Sequence, residues 1–270
     1  MKSQGLSCTI GTFLRFLIAA IMLGCLAGAF FPSTSQYCLI AFGFLYLMYW
    51  IDIFCINTTF KMLRNRSSIS SLHQKLVDMK LKGTPSITWN MVCYHYETRT
   101  RAVTTTDSDG RTSTRYETYE ERVNTWYGSE SFHFDTWTDM SPDTLNIEDH
   151  RYIRWKMEKT FNFADDYTQH CYHHQKSTFE ESNKWRDTHY NFEETFHIDG
   201  FVERMISSSD GTFPWQMSVK VYLVTCIFLF ELAYSAWLKG LATPKSYTYC
   251  KVFHCYNKQA LSPGTQIILC

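Results

Sequence analysis

Cys93 and His95, two residues apart in a run of β-branched and aromatic side chains, and the cluster His170, Cys171, His173 and His174 are the residue types best suited to hold a metal ion. A strand pair, Cys93 with His95, and a helical i, i+4 pair, His170 with His174, would together offer four nitrogen and sulfur ligands to zinc. No C-x-x-C spacing supports that site, and ordinary core or surface histidines are the simpler reading. Cys250, His254 and Cys255 form a second grouping, which reads equally as juxtamembrane cysteines open to palmitoylation. The adjacent acids Asp165-Asp166, Glu180-Glu181 and Glu193-Glu194 read as solvated faces rather than acid/base dyads. G-x-S-x-G, Walker, G-x-G-x-x-G and H-E-x-x-H motifs are all missing from the sequence, so no catalytic residue or cofactor is assigned and a non-enzyme is expected.

Three ionisable residues stand in apolar surroundings: Arg15, Asp52 and Glu231. Such residues are functional candidates by default when they lie within a bilayer. The segments around them are long enough to raise the question. Residues 13–31 and 37–56 each approach the roughly 20 apolar residues needed to cross a membrane core. The short uncharged connection Pro32-Ser33-Thr34-Ser35-Gln36 predicts an antiparallel transmembrane hairpin, with Arg15 and Asp52 forming an ion pair near one face. Gly24 and Gly28 offer a small-residue face to Ala41 or Gly43. A cleaved signal peptide is the alternative for the first segment. Val221 to Leu238 is a third apolar stretch, containing Glu231, and is read as a third span in preference to a re-entrant segment.

Charge divides the chain. Residues 84–215 carry 23 acids and 13 bases, a net of −10, whereas the remainder carries 13 bases and 3 acids, a net of +10. An acidic domain is a poor phosphate binder, so nucleic acid is not an expected partner; the basic remainder suits a lipid bilayer. Lys61, Arg64, Arg66, Lys75, Lys80 and Lys82 follow the second span, and by the positive-inside rule they place the middle domain in the cytosol. The tail lysines Lys239, Lys245, Lys251 and Lys258 favour the same side, in conflict with a third crossing. Asn57-Thr58-Thr59 and Asn65-Arg66-Ser67 are chance sequons on this reading.

The expected organisation is a hairpin at 1–56, a basic linker and amphipathic helix at 57–83, an acidic extramembrane domain at 84–215, a third hydrophobic segment at 216–240 and a basic tail at 241–270. Ile69, Leu72, Leu76 and Met79 recur at helical spacing, which predicts a helix along the lipid surface. Period-two alternation predicts a long hairpin from Ile87 to Arg101 and Arg111 to Trp126 about the turn Asp107-Ser108-Asp109-Gly110, with further strands at Ser129–Thr138, Arg151–Phe163 and Thr195–Ile206. Asp165 to Asp187 reads as a helix. The fold class is therefore an α+β membrane protein, with an antiparallel sheet, a packed helix and a third hydrophobic helix near the C-terminus.

Cys93-Tyr94-His95-Tyr96, Glu121-Arg122-Val123-Asn124-Thr125, Phe161-Asn162-Phe163-Ala164, Tyr46-Leu47-Met48-Tyr49-Trp50 and Phe213-Pro214-Trp215 carry a resemblance. In order and spacing they resemble the transmembrane protein 151 family, from about Tyr37 to about Tyr256. That resemblance implies a multi-pass membrane protein and carries over no catalytic residue. The expected role is a non-enzymatic interaction or regulatory module, with a basic-surfaced protein as partner and an internal membrane such as the endoplasmic reticulum as location. The alternatives are an oligomeric channel or transporter subunit with Glu231 in the membrane, and a metal-dependent enzyme.

Overall fold

The structure is a computed structural model and describes residues 3–29, 35–106, 111–143, 145 and 150–256. The expected turn at Asp107–Gly110, the connection residues Pro32, Ser33 and Thr34, and Lys258 lie outside them. The chain folds into two compact units. The first comprises Met1–Asp78, Pro142–Glu158 and Val202–Tyr249, and the second comprises Met79–Ser141, Lys159–Phe201 and Cys250–Cys270.

In the first unit, α1 (Ser3–Gly28) and α2 (Ser35–Cys55) are antiparallel. Arg15 reaches Asp52, and a Cβ placed on Gly28 would lie 2.8 Å from Cys38 Sγ. Gly28 is thus where close approach demands a small residue, while Gly24 and Gly43 face open space. Among the described residues, Ser35–Cys55 is the one helix both long and apolar enough to cross a membrane. Its 21 residues span about 31 Å. Ile40, Phe44, Leu47 and Ile51 are exposed along it, as lipid-facing side chains require.

The stretch read as a linker holds more structure than its composition suggests: α3 (Thr58–Arg64), β1 (Arg66–Ser68) and then α4 (Ile69–Lys82). Leu72 and Leu76 of α4 are buried in the protein rather than offered to lipid. After β2 to β4, described below, β5 (Tyr152–Phe163) and β7 (Arg204–Ser208) pair antiparallel, and β1 joins β7 in parallel. The order in this unit is β1-β7-β5-β8. Between β7 and β8 lie α6 (Val219–Ile227) and α7 (Glu231–Leu241), where a single helix over Val221–Leu238 was expected.

The break between α6 and α7 has a defined chemistry. Phe230 N–H bonds Thr225 C=O at 2.9 Å and Leu229 N–H bonds Cys226 C=O at 3.0 Å, with Leu229 at φ +62°. This is a Schellman C-cap with leucine where glycine usually sits. The left-handed conformation costs a non-glycine residue about 1–2 kcal/mol, and the buried contacts on both sides offset it: Tyr222, Cys226, Tyr234 and Leu238 enter the same core as Met22, Tyr49 and Ile53.

In the second unit, β2 (Pro85–Thr106) lies between β3 (Thr112–Ser131) and β6 (His189–Ile198), antiparallel to both. Ile87, Trp89, Met91 and Cys93 alternate inward and are fully buried. They meet α5 (Asp166–Asn183), whose Tyr172 and Phe179 lie on its buried face. Asp165 caps that helix, accepting from Thr168 N–H at 2.7 Å. The strand expected at Thr195–Ile206 is instead two, β6 and β7, separated by a turn in which Gly200 takes φ +77°.

The segment read as a basic tail is β8 (Thr243–His254). Tyr247, Tyr249, Lys251 and Phe253 alternate inward, and β4 (Thr136–Asp139) pairs with its C-terminal half. Lys251 is fully buried. Its ammonium pairs with Asp139 at 3.0 Å, donates to the Met79 and Lys80 carbonyls at 2.9 and 3.2 Å, and lies 3.9 Å from the Trp137 ring centroid. It thereby satisfies carbonyls of the last turn of α4, where positive charge is favoured. Burial pulls its pKa below that of an ordinary lysine, and Asp139 opposes the shift. Lys251→Ala should lower stability by about 3–5 kcal/mol, because Asp139 is left buried and unpaired. The double change Lys251→Met with Asp139→Leu should recover most of that loss in denaturant unfolding of the full chain in detergent. Equal losses in both variants would show that shape, not charge, sets the cost.

Candidate functional site

The first unit contains a buried polar centre built where α2, α3 and α7 meet. Asn57, just past the end of α2, caps α3: its Oδ1 accepts from Thr59 N–H at 2.8 Å and from Phe60 N–H at 3.3 Å. The other end of the same amide donates to Glu231 Oε1 at 2.8 Å. Ser235, one turn along α7, donates to the same oxygen at 2.8 Å and lies 2.8 Å from Thr59 Oγ1. Glu231 is 2% exposed and Asn57 fully buried. Glu231 Oε2 has no hydrogen-bond partner among the described residues. The geometry makes Glu231 a clamp that fixes the start of α7 to the α2–α3 junction. It also disposes of the first sequon, since a fully buried Asn57 amide in two hydrogen-bonding roles is closed to modification.

Arg15 and Asp52 are brought together in a forked pair, Nε to Oδ2 at 2.8 Å and a terminal nitrogen to Oδ1 at 3.3 Å. Glu231 is held separately by Asn57 and Ser235. The three intramembrane candidates therefore serve two polar clusters in the same unit.

The histidine and cysteine candidates are in the second unit, and they do not assemble. Among the described residues no group of three or more His, Cys, Asp or Glu is arranged to hold a metal ion. Cys93 points into the core and donates to Asn183 C=O at 3.5 Å. Burial, and then the Asp187 carboxylate, push its thiol pKa up, away from the thiolate that ligation or nucleophilic attack requires. The register shift between Cys93 and Tyr94 places its extra residue, Thr125, on β3, so β2 keeps its own period. His170 and His174 stack on one another on the exposed face of α5, ring centroids 6.3 Å apart. Cys250 and Cys255 belong to the end of β8 and the residue just past it, with Cys255 buried in the core of this unit.

His95 has a different partner. Its Nδ1 lies 2.9 Å from Asp187 Oδ2, and its Nε2 lies 3.4 Å from Glu97. Thr125 Oγ1 donates to the same Asp187 oxygen at 2.6 Å. The Thr125 hydrogen bond, then that from His95, holds the Asp187 carboxyl well below the usual range. The bonds to Asp187 and then Glu97 push the His95 imidazole up. Another polar cluster was misread in the sequence as a solvated face: Glu194 accepts from Trp89 Nε1 at 2.9 Å, from Lys176 at 2.8 Å and from the Tyr172 hydroxyl. These clusters fix β2, β6 and α5 to one another.

A histidine whose folded pKa is raised contributes stability that is fully present below its unfolded pKa of about 6.5 and is lost as pH rises through the folded value. The melting temperature of the full chain should therefore exceed that of His95→Gln most at pH 6, with the gap closing toward pH 8. A gap that widens with pH would contradict the assignment.

The family model for the TMEM151 family matches residues 30–261. Relatives named Transmembrane protein 151 homolog, from Caenorhabditis elegans and Caenorhabditis briggsae, are each 26% identical over 185 residues, covering 67% of this chain and 34% of theirs. The chain thus spans about a third of the length of these curated relatives. No solved structure matches. The matched region runs from before α2 to beyond β8 and takes in the Asn57–Glu231–Ser235 centre, and on that evidence the chain belongs to the TMEM151 family of membrane proteins.

Proposed function

We propose that the chain is a non-enzymatic interaction module that presents a cytosolic α+β domain at a membrane. The observation that carries this reading is the two-stranded arm formed by the far halves of β2 and β3. From Glu97 to Thr106 and Thr112 to Glu120 every side chain is exposed except the half-buried Val103 and Glu117. The strands stay paired to the last described residues, Thr106 opposite Thr112. Cross-strand contacts hold the arm together, among them Arg99 with Glu121 at 2.6 Å, Arg101 with Glu117 at 3.2 Å and Thr104 with Thr114 at 3.2 Å. Such pairs contribute a few tenths of a kcal/mol each, about 0.2–1. An arm with no core to bury serves contacts beyond the chain. β3 is also an edge strand of 20 residues, open to strand addition.

In the membrane, α1 and α2 form the transmembrane hairpin, and α6 with α7 enter and return on one side. The supporting argument is that β7 and β8, which flank that segment, are strands of one sheet. The 9 residues of α6 and 11 of α7 reach only about 14 and 17 Å, short of a bilayer core of about 30 Å. Val224, Ile227, Phe228 and Phe230 are exposed around the break, an apolar tip suited to shallow insertion. Lys239 and Lys245 then share the cytosolic side with the basic run after α2. A 21-residue span fits the thinner internal membranes, such as the endoplasmic reticulum.

The net charge of −10 over residues 84–215 favours a basic protein partner. The test is recovery of basic proteins on the full-length chain at rising salt, beside a variant in which residues 98–119 are replaced by a two-residue Asn-Gly turn. The account expects partners that are lost both on raising salt from 50 to about 300 mM and on shortening the arm, with the melting temperature unchanged. Identical recovery by both forms would remove the arm from the interaction.

A further inference from the structure

Cys171 of α5 and Cys255, just past β8, are free thiols that meet in the core of the second unit. Two contacts hold Cys255 against the helix. Its backbone N–H donates to Thr168 Oγ1 at 3.0 Å. Its thiol lies 3.9 Å from the His133 carbonyl, which in turn accepts from Gln175 Nε2 at 3.0 Å. Thr168, Cys171 and Gln175 stand at i, i+3 and i+7, on one face of α5. Cys171 is therefore the helix residue between the two anchors, and its sulfur and that of Cys255 form a hydrogen-bonded pair.

The two thiols differ in access. Cys255 is 9% exposed, and burial, then the neighbouring Cys171, push its pKa up to about 11. Cys171 is half-buried, and the Tyr167 hydroxyl is hydrogen-bonded to it from the exposed side of the helix. An oxidant can reach the outer sulfur, while the inner one is held in contact with it, as a resolving cysteine must be. Among the described residues the other cysteines of this unit stand apart. Cys93 bonds the carbonyl of Asn183, at the far end of α5. Cys250 falls on the opposite face of β8 from Phe253, which shares its core with Cys255.

We propose that Cys171 and Cys255 are a redox-sensitive modification site, which a hydroperoxide converts to a reversible disulfide. The Cys171 sulfur, as thiolate, attacks one oxygen of hydrogen peroxide. The O–O bond breaks, the sulfur gives two electrons to the peroxide, and the departing hydroxide takes up the proton that Cys171 released. The Cys255 sulfur then displaces the hydroxyl of the sulfenic acid. The S–S bond forms, the S–O bond breaks, and the hydroxide leaves as water with the Cys255 proton. Two thiols and one peroxide thus give one disulfide and two waters, and a dithiol reductant reverses the bond by exchange. Oxidation ties the end of β8 to α5, and reduction releases it. The chemistry is open to this pair on either side of a membrane; a cytosolic domain would make the bond transient.

The test is a peptide map by mass spectrometry of the full-length chain in detergent, reduced, treated with graded hydrogen peroxide and alkylated without reductant. A peptide joining Cys171 to Cys255 should appear, and dithiothreitol should remove it. The melting temperature should rise by about 5 °C or more as the bond forms, a rise that Cys255→Ala does not show. In Cys255→Ala, dimedone should capture a sulfenic acid on Cys171, and in Cys171→Ala it should leave Cys255 unlabelled. Should either variant fail to fold, the peptide map and melting temperature of the unaltered chain decide alone. Either thiol joined instead to Cys93 or Cys250, no joined peptide short of unfolding, or a melting temperature that the bond leaves unchanged or lowers would overturn the proposal. Dimedone on Cys255 but not on Cys171 would overturn the assigned order of attack.

Discussion

The chain leaves β7 at Ser208, runs through an apolar segment, and re-enters the same sheet as β8 at Thr243. Strand pairing requires both ends of that segment to reach one sheet, so the segment must turn around, and much of the first unit follows from that constraint. The turn falls at Leu229, where a backbone conformation that leucine rarely takes is imposed by the packing of Tyr222 and Cys226 on one side and Tyr234 and Leu238 on the other. Turning also frees the N-terminus of α7. Glu231 occupies its first turn, where an acid suits the helix dipole, and Asn57 and Ser235 supply the hydrogen bonds that make a buried carboxyl tolerable.

The same constraint bears on the conflict in charge. On the proposed topology, the six cations after α2 and the lysines of α7 and β8 fall on one side, which three crossings would not allow. It also gathers Lys239 and Lys245 with Arg154, Lys156 and Arg204 around one cavity.

Elements with a strong local period were legible in the sequence. α2, the β2–β3 pair, β5 and α5 stand within a few residues of the expected bounds, because their side chains alternate or recur as burial on one face demands. Three features were not legible, each for a physical reason. The break at Leu229 lacks glycine, the residue that signals a left-handed cap. β8 looked like a basic tail because its alternating Tyr247, Tyr249, Lys251 and Phe253 include a lysine, and only the placement of Asp139 and the α4 carbonyls makes that lysine an inward residue. The pairing of His95 with Asp187 joins residues 92 positions apart, a separation that no local spacing reports. The basic cavity was equally hidden, since its cations come from four elements.

Sidedness tests the returning segment most directly. Epitope tags placed within residues 107–110 and after Tyr256 in the full-length chain, expressed in sealed microsomes with the cytosolic face outward, would be exposed to protease with and without detergent. The account predicts that both tags are cleaved without detergent. A tag after Tyr256 that is protected while the 107–110 tag is cleaved would mean that the segment crosses the membrane, which is incompatible with β7 and β8 in one sheet.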